Sequence, residues 1–288
     1  KTTLVTGFTF ALVVATFIIV MSLARGVEGA LTTSGNPLNV IIMRQGVESE
    51  SQSQIAKERY QIVRNFGGIA KDEKGEPLVA PEVLTLLNKP RSTDGKPSNL
   101  QIRGVHPLSF KMRPIVQLVE GRLFNPGLRE IIVAKRLAQR FSGFSLGDKV
   151  RLGRGDWTVV GIFEAQGSAF DSEAWADYQE IMQEFDRDRY STILVRAVDS
   201  AAASAIRTLV EEDLRVKLTA KTEDVYYAEQ TKTAKPVKAF AAFLAAIMSI
   251  GASFAGMNTM YSRVANRARE IGTLRVLGYT PIAVMFSF

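Results

Sequence analysis

Two long apolar runs bracket a region of mixed texture. No Asp, Glu, Lys, Arg or His occurs from Thr2 to Ala24 or from Ala239 to Ser262, runs of 23 and 24 residues. A helix crosses a bilayer in roughly 20 predominantly apolar residues. The pattern therefore predicts transmembrane helices over 1–27 and 236–262. The first run is too long for the apolar core of a usual signal peptide. Small residues recur on one face of each predicted helix: Gly7, Ala11 and Ala15 in the first, Ala242/Ala246 and Ala252/Gly256 in the second. Such faces let another helix approach closely. A third apolar segment, 281–288, begins after a short polar stretch and reads as the start of a third spanning helix.

Between the runs, hydrophobic periodicity predicts a mixed α/β domain over 28–235. Asn39–Met43 reads as a short buried strand and Ser53–Asn65 as an amphipathic helix. Leu78–Leu87 is apolar but broken by Pro81, so its pattern fits strand or helix. The stretch from Asn88 to Asn99 reads as a loop, and Leu100–Val105 alternates as a strand. A β-rich lobe is expected over about 119–171, with strands at Val116–Phe124 and Glu130–Val133 and a helix over Ala134–Phe141. Asp148–Leu152 and Trp157–Phe163 flank Gly153-Arg-Gly-Asp156, a predicted hairpin. Ser172–Phe185 carries Trp175, Tyr178, Ile181, Met182 and Phe185 at helical spacing. Thr192–Val198 reads as a strand, Ser200–Leu214 as an amphipathic helix and Val216–Ala220 as a strand. Thr222 reads as the cap of a helix whose first turn carries Glu223 and Asp224. The expected fold is α+β: transmembrane helices flanking a large extracytoplasmic mixed α/β domain with an inserted β-rich lobe.

Composition narrows the chemistry. With no cysteine and one histidine, neither a Cys/His zinc site nor a disulfide framework can be built. His106 sits in Gly-Val-His-Pro-Leu and reads as a polar residue ending a strand, not as a triad base. Asp171, Glu173 and Asp177 read as a solvated helix N-terminus rather than an acid/base pair. No Gly-x-x-x-x-Gly-Lys-Ser/Thr occurs, so the chain has no P-loop for ATP. No catalytic or metal-ligating residue is expected. The net charge of +7 is unevenly spread: Arg263, Arg267, Arg269 and Arg275 face only Glu270 within 263–280. Basic residues beside a span mark the cytoplasmic side, which places 28–235 outside and 263–280 inside. This reading involves membrane lipid and no nucleic acid.

The segment Asn266-Arg-Ala-Arg-Glu-Ile-Gly-Thr-Leu-Arg-Val-Leu-Gly-Tyr-Thr280 resembles the cytoplasmic loop of ABC-transporter permeases of the MacB/FtsX/LolC type. The residues that carry the match are Arg267, Arg269, Glu270, Ile271, Gly272, Arg275 and Gly278. Val119-Glu-Gly-Arg-Leu-Phe124, Leu146-Gly-Asp-Lys-Val150 and Trp157-Thr-Val-Val-Gly-Ile162 resemble pieces of that family's periplasmic core domain. The order of helix, outside domain, helix and loop is also similar. The resemblance implies a multi-pass permease of the bacterial inner membrane. It also implies a partner ATPase holding ATP and magnesium, and pairing with a second copy or a paralogue. A periplasmic adaptor or lipoprotein is a further partner it suggests. It further implies ATPase coupling through the loop, where Ile271, Leu274 and Leu277 form an apolar stripe. The alternative is a two-helix receptor with an outside ligand domain; it predicts a signalling linker where this chain returns to apolar sequence.

Overall fold

The computed structural model describes residues 34–213, 215–230 and 234–287, together with 8, 11, 12, 14–22, 26 and 29. The chain divides into two compact units, Val27–Lys232 and the two terminal pieces Lys1–Gly26 and Thr233–Phe288.

The larger unit is organised by one ten-stranded sheet. Its strands are β1 (Asn39–Arg44), β2 (Val79–Pro90), β3 (Pro97–Val105), β4 (Gln117–Gly121), β5 (Glu130–Ala134), β6 (Lys149–Leu152), β7 (Gly155–Glu164), β8 (Glu173–Asp177), β9 (Thr192–Arg196) and β10 (Leu218–Thr222). The order is β10-β1-β9-β2-β3-β8-β5-β7-β4, with β6 paired to β7. Its helices are α1 (Lys57–Arg64), α2 (Leu108–Met112), α3 (Lys135–Arg140), α4 (Tyr178–Glu184), α5 (Ser200–Glu212) and α6 (Glu223–Gln230).

β1 reads Asn-Val-Ile-Ile-Met-Arg, and its first five residues are buried. Such a continuous apolar run is what a strand covered on both faces requires. It lies antiparallel between β10 and β9. β2 joins the two halves of the sheet. Val79–Glu82 pair with β9, and the strand then changes partner at Val83 to pair with β3. Pro81 sits opposite Ile193, before the β3 pairing begins. A missing N–H is tolerated where only one side of a strand is laddered, which resolves Leu78–Leu87 as strand. β3 and β8 run parallel, so residues 106–172 form the crossover between them. Fully buried Trp157, Trp175, Phe163 and Phe170 anchor the core. Trp175 has ring centroids of Phe110, Phe163 and Phe170 at 5.4, 5.6 and 5.7 Å.

The structure departs from the sequence pattern at two places. The expected loop from Asn88 to Asn99 is mostly the outer half of a β2–β3 hairpin, paired as far as Pro90 and Pro97. Its side chains are largely exposed, so backbone pairing extends beyond the apolar pattern. Ser172–Phe185 is not one helix. Glu173–Asp177 is a wholly buried strand, and the helix starts only at Tyr178. Asp177 caps it, its side chain accepting from the N–H groups of Gln179 and Glu180 at 2.9 and 3.1 Å. Thr222 ends β10 opposite Val40 and directly precedes α6, the position expected for its cap. The predicted hairpin at Gly153–Asp156 is present between β6 and β7, and His106 follows the last residue of β3 before Pro107.

The smaller unit holds α7 (Ala234–Asn266), α8 (Ala268–Val276) and α9 (Pro281–Ser287). At 33 residues, α7 extends about 50 Å at the usual helical rise. Among the described residues, its stretch Ala242–Asn266 is the one helix long and apolar enough to cross a membrane. Phe240, Phe243, Phe254 and Met257 are exposed along it. The described residues within 8–22 are helical; the rest of the expected first span, Gly7 included, lies outside the described residues.

Candidate functional site: a buried ion joint at the two ends of the domain

Two arginines and four glutamates meet inside the larger unit. Arg103 stands on β3 and Arg113 follows α2. Glu82 comes from β2, Glu173 from β8, Glu223 from the first residue of α6, and Glu50 from a short 3₁₀ turn after β1. All six are at most 3% exposed. Arg103 donates through Nε and Nη2 to both carboxylate oxygens of Glu173, at 2.8 and 2.9 Å. Its Nη1 reaches Glu82 at 3.0 Å and also pairs with Glu50. Arg113 donates to the other oxygen of Glu82 at 2.5 Å and, through Nε, to Glu223 at 2.8 Å. Glu82 therefore bridges the two guanidiniums.

Surrounding groups add further hydrogen bonds. Trp175 Nε1 donates to Glu173 at 2.7 Å. Asn39 Nδ2 donates to Glu223 at 2.7 Å. The Tyr226 hydroxyl accepts from the N–H of Glu50 at 3.2 Å. The Arg113 guanidinium lies 4.9 Å from the centroid of Phe170, a cation–π distance. A buried charge is costly unless paired and hydrogen-bonded, and here each one is.

Four carboxyls against two guanidiniums leave an excess of acid. Burial pushes the Glu50 carboxyl up, and Arg103 only partly offsets this. At Glu82 burial acts the same way, but Arg113 and Arg103 outweigh it and hold the carboxyl below its usual value. Burial also disfavours the charge on both arginines, yet the facing carboxylates raise Arg103 and Arg113 above the ordinary guanidinium value. Of Glu50 and Glu82, Glu50 is the one that burial pushes toward its protonated form.

The cluster sits where the chain comes into the domain and where it leaves it. The N–H of Asn36 donates to Glu223 at 3.2 Å. The Ser34 hydroxyl accepts from the N–H of Ala169 at 2.7 Å. Between them, Gly35 lies so close to the backbone of Asp224 that a Cβ on it would overlap the Asp224 Cα and N. Residues 34–36 and 223–224 are therefore fastened to each other and, through Glu223 and Arg113, to the middle of the sheet.

Glu173 and Asp171 were read as solvated; Glu173 is instead buried in the cluster, and Asp171, at 5% exposed, accepts from the N–H groups of Ala165 and Gly167 at 2.6 and 2.7 Å. Asp177 is also buried. Glu223 stands in the first turn of its helix, as expected, and is also a buried ion partner. Their signal was present in the sequence. Glu82 stands inside Val79-Ala-Pro-Glu-Val-Leu84 and Arg103 in Ile102-Arg-Gly-Val105, charges set within apolar strands.

The residues expected to meet an ATPase lie on the smaller unit. Arg267 precedes α8, Arg269, Glu270, Ile271, Gly272, Leu274 and Arg275 are in it, and Gly278 follows with a left-handed φ of 92°. Ile271 and Leu274 are half-buried, while Leu277 is 69% exposed. Among the described residues neither Glu270 nor Arg275 forms an ion pair; Arg275 Nη1 donates to the Tyr279 carbonyl at 3.4 Å. Of the small residues expected at helix contacts, Ala252 is buried and Gly256 half-buried, whereas Ala11, Ala15, Ala242 and Ala246 are exposed. Among the described residues no cluster of His, Cys, Asp or Glu is arranged to hold a metal ion.

The sequence model of the MacB-like periplasmic core domain matches residues 2–213. The chain belongs to this family and is a permease of the MacB/FtsX type. Solved structures that the chain matches include the extracellular domain of the noncanonic ABC-type transporter YknZ from Gram-positive bacteria, at 14% identity and a TM-score of 0.47, covering 64% of this chain and 98% of that one. Another is the periplasmic region of MacB from Actinobacillus actinomycetemcomitans, at 14% identity and a TM-score of 0.48, covering 69% of this chain and 94% of that one. No curated protein matches the sequence. The family is that of ABC-transporter permease components, which are generally non-catalytic. The chain is accordingly a membrane protein with an extracytoplasmic segment that works beside an ATPase.

Proposed function

We propose that this permease couples ATP hydrolysis on its partner to movement of the extracytoplasmic domain, in export, efflux or the handling of lipids or lipoproteins. ATP and magnesium are held by the ATPase. Residues 28–235 lie outside the membrane, spans occupy 1–27 and 236–262 with a third starting at 281, and two permease copies or paralogues pair. A periplasmic adaptor or lipoprotein is a candidate further partner.

The observation that carries this reading is the ion joint. A domain can follow the motion of membrane helices only if both of its chain ends are fixed to its core. Here Asn36 and Glu223 share a hydrogen bond, and Glu223 is tied by Arg113 to Glu82 in the sheet. On the ATPase side, the unpaired charges of Glu270 and Arg275 and the half-buried Ile271 and Leu274 suit a docking segment. Arg267, Arg269, Gly272 and Gly278 complete it. Loss of one partner in a buried interfacial charge pair costs about 2–5 kcal/mol.

The test uses full-length permease and its ATPase in proteoliposomes. Glu270→Lys and Arg275→Glu are expected to lower co-purification of the ATPase and its stimulated hydrolysis while membrane insertion is unchanged. Wild-type coupling in both variants would reduce the segment to a topology signal.

A further inference from the structure

A second concentration of charge lies on the surface of the larger unit and plays no part in the joint. An open pocket of about 260 Å³ is lined by Arg44, Arg59, Arg189 and Lys217, with Gln45, Gln54 and Ala56 completing its wall. Its four cations come from the end of β1, the first turn of α1, the loop before β9 and the turn before β10. No carboxylate lines it.

Another surface pocket shows how unusual that is. The pocket between α3 and the end of β7 also holds basic residues, but there Lys135 pairs with Glu164 at 2.6 Å and Arg136 with Asp171 at 4.0 Å. In the cationic pocket, among the described residues, the side chains of Arg44, Arg59 and Lys217 form no ion pair and no hydrogen bond. Arg189 has only the exposed Asp188 at 3.7 Å. Like charges gathered without counter-charge repel one another, and a bound anion relieves that repulsion. The wall also includes Ala56, which precedes α1 and offers no side-chain cap to its first N–H groups. Those groups add positive potential at the same spot.

We propose that this pocket binds a phosphate-bearing anion. Guanidinium groups match phosphate oxygens in fork geometry, and the two glutamine amides supply further donors. Two sources share this chemistry, an anionic lipid headgroup and free phosphate, and the probes below separate them.

The experiment uses the full chain in a non-ionic detergent and follows binding by calorimetry. Three probes are titrated: dihexanoylphosphatidylglycerol, dihexanoylphosphatidylcholine and inorganic phosphate. The wild type is expected to bind the glycerol lipid at least about tenfold more tightly than the choline lipid, with affinity falling as salt rises. Arg59→Glu and Lys217→Glu should each weaken binding about tenfold or more, the loss expected for a charge-assisted hydrogen bond. Arg136→Glu, in the other pocket, should leave it unchanged. Inorganic phosphate binding as tightly as the glycerol lipid, and lost in the same two variants, would support the pocket and assign it to the free anion. Equal affinity for both lipids with no phosphate binding, or undiminished binding in Arg59→Glu and Lys217→Glu, would overturn the proposal.

Discussion

The two charged regions proposed to serve coupling use charge in opposite ways. In the joint, Arg103 and Arg113 are buried and every charge has a partner within the chain. On α8, Glu270 and Arg275 are exposed and, among the described residues, form no ion pair. The first arrangement fixes the shape of one molecule. The second leaves its charges available to another molecule. A buried ion network adds little net stability compared with apolar packing, but breaking one member is expensive. Such a network therefore suits a part that must hold one geometry, whereas exposed charges are cheap to keep and cheap to lose.

The contrast is broken most strongly at Arg103. Arg103→Met fills a similar volume but strands Glu173 and Glu50 without a cation and leaves Glu82 with Arg113 alone. The expected cost is about 3–5 kcal/mol, read as a lower denaturation midpoint of the full chain. A loss below about 1 kcal/mol would mean that the cluster is solvated and not a joint.

Within the joint, Glu82 and Glu50 should part company. Glu82→Gln removes the charge bridging both arginines, at a cost of about 1.5–3 kcal/mol near neutral pH. Glu50→Gln should cost much less, because burial already favours its protonated form. The pH dependences run oppositely. Glu82 has a lowered folded value, so its contribution is present above the ordinary value of 4.5 and is lost as pH falls through the folded one. Glu50 has a raised folded value, so stability is full below 4.5 and declines as pH rises through the folded one. Denaturation curves across pH should therefore show Glu82→Gln flattening the acid limb and Glu50→Gln flattening the decline above it. Identical profiles for the two variants would remove the distinction.

Gly35→Val tests the close approach of the two chain ends. The added side chain must displace the backbone of Asp224, an overpacking cost of about 1–3 kcal/mol. Hydrogen exchange should rise in residues 34–40 and 223–230 while β5 and β7 stay protected. At the small end of the scale, Glu270→Lys should leave thermal stability unchanged and alter only ATPase recovery. A stability loss there would show that the segment's charges work inside the chain after all.

Much of the fold was readable because its signals are local. The continuous apolar run of β1, the spacing of Ile206 and Val210 on α5 and the turn residues Gly153–Asp156 each needed only their own neighbours. β8 was misread because Trp175, Tyr178 and Ile181 also fit a helical stripe. Only the buried pairing of β8 with β3 and β5 decides between strand and helix. The joint was not readable as a site. Its partners lie as far apart as Asn39 and Glu223, and nothing local distinguishes a buried glutamate at a helix start from one stabilised there by the helix dipole. The α8 motif was legible through resemblance.

The central claim is that residues 34–36 and 223–224 move as one rigid joint that carries motion into the domain. The sequence has no cysteine, so a pair introduced by Asn36→Cys and Asp224→Cys can be joined by a short thiol-reactive linker without background. The measurement is ATPase-coupled transport by the full permease with its ATPase, before and after linking. Full activity after linking is predicted, because the two segments already stay together throughout the cycle. Loss of transport on linking, restored when the linker is cleaved, would mean that the joint opens during turnover and would contradict the account.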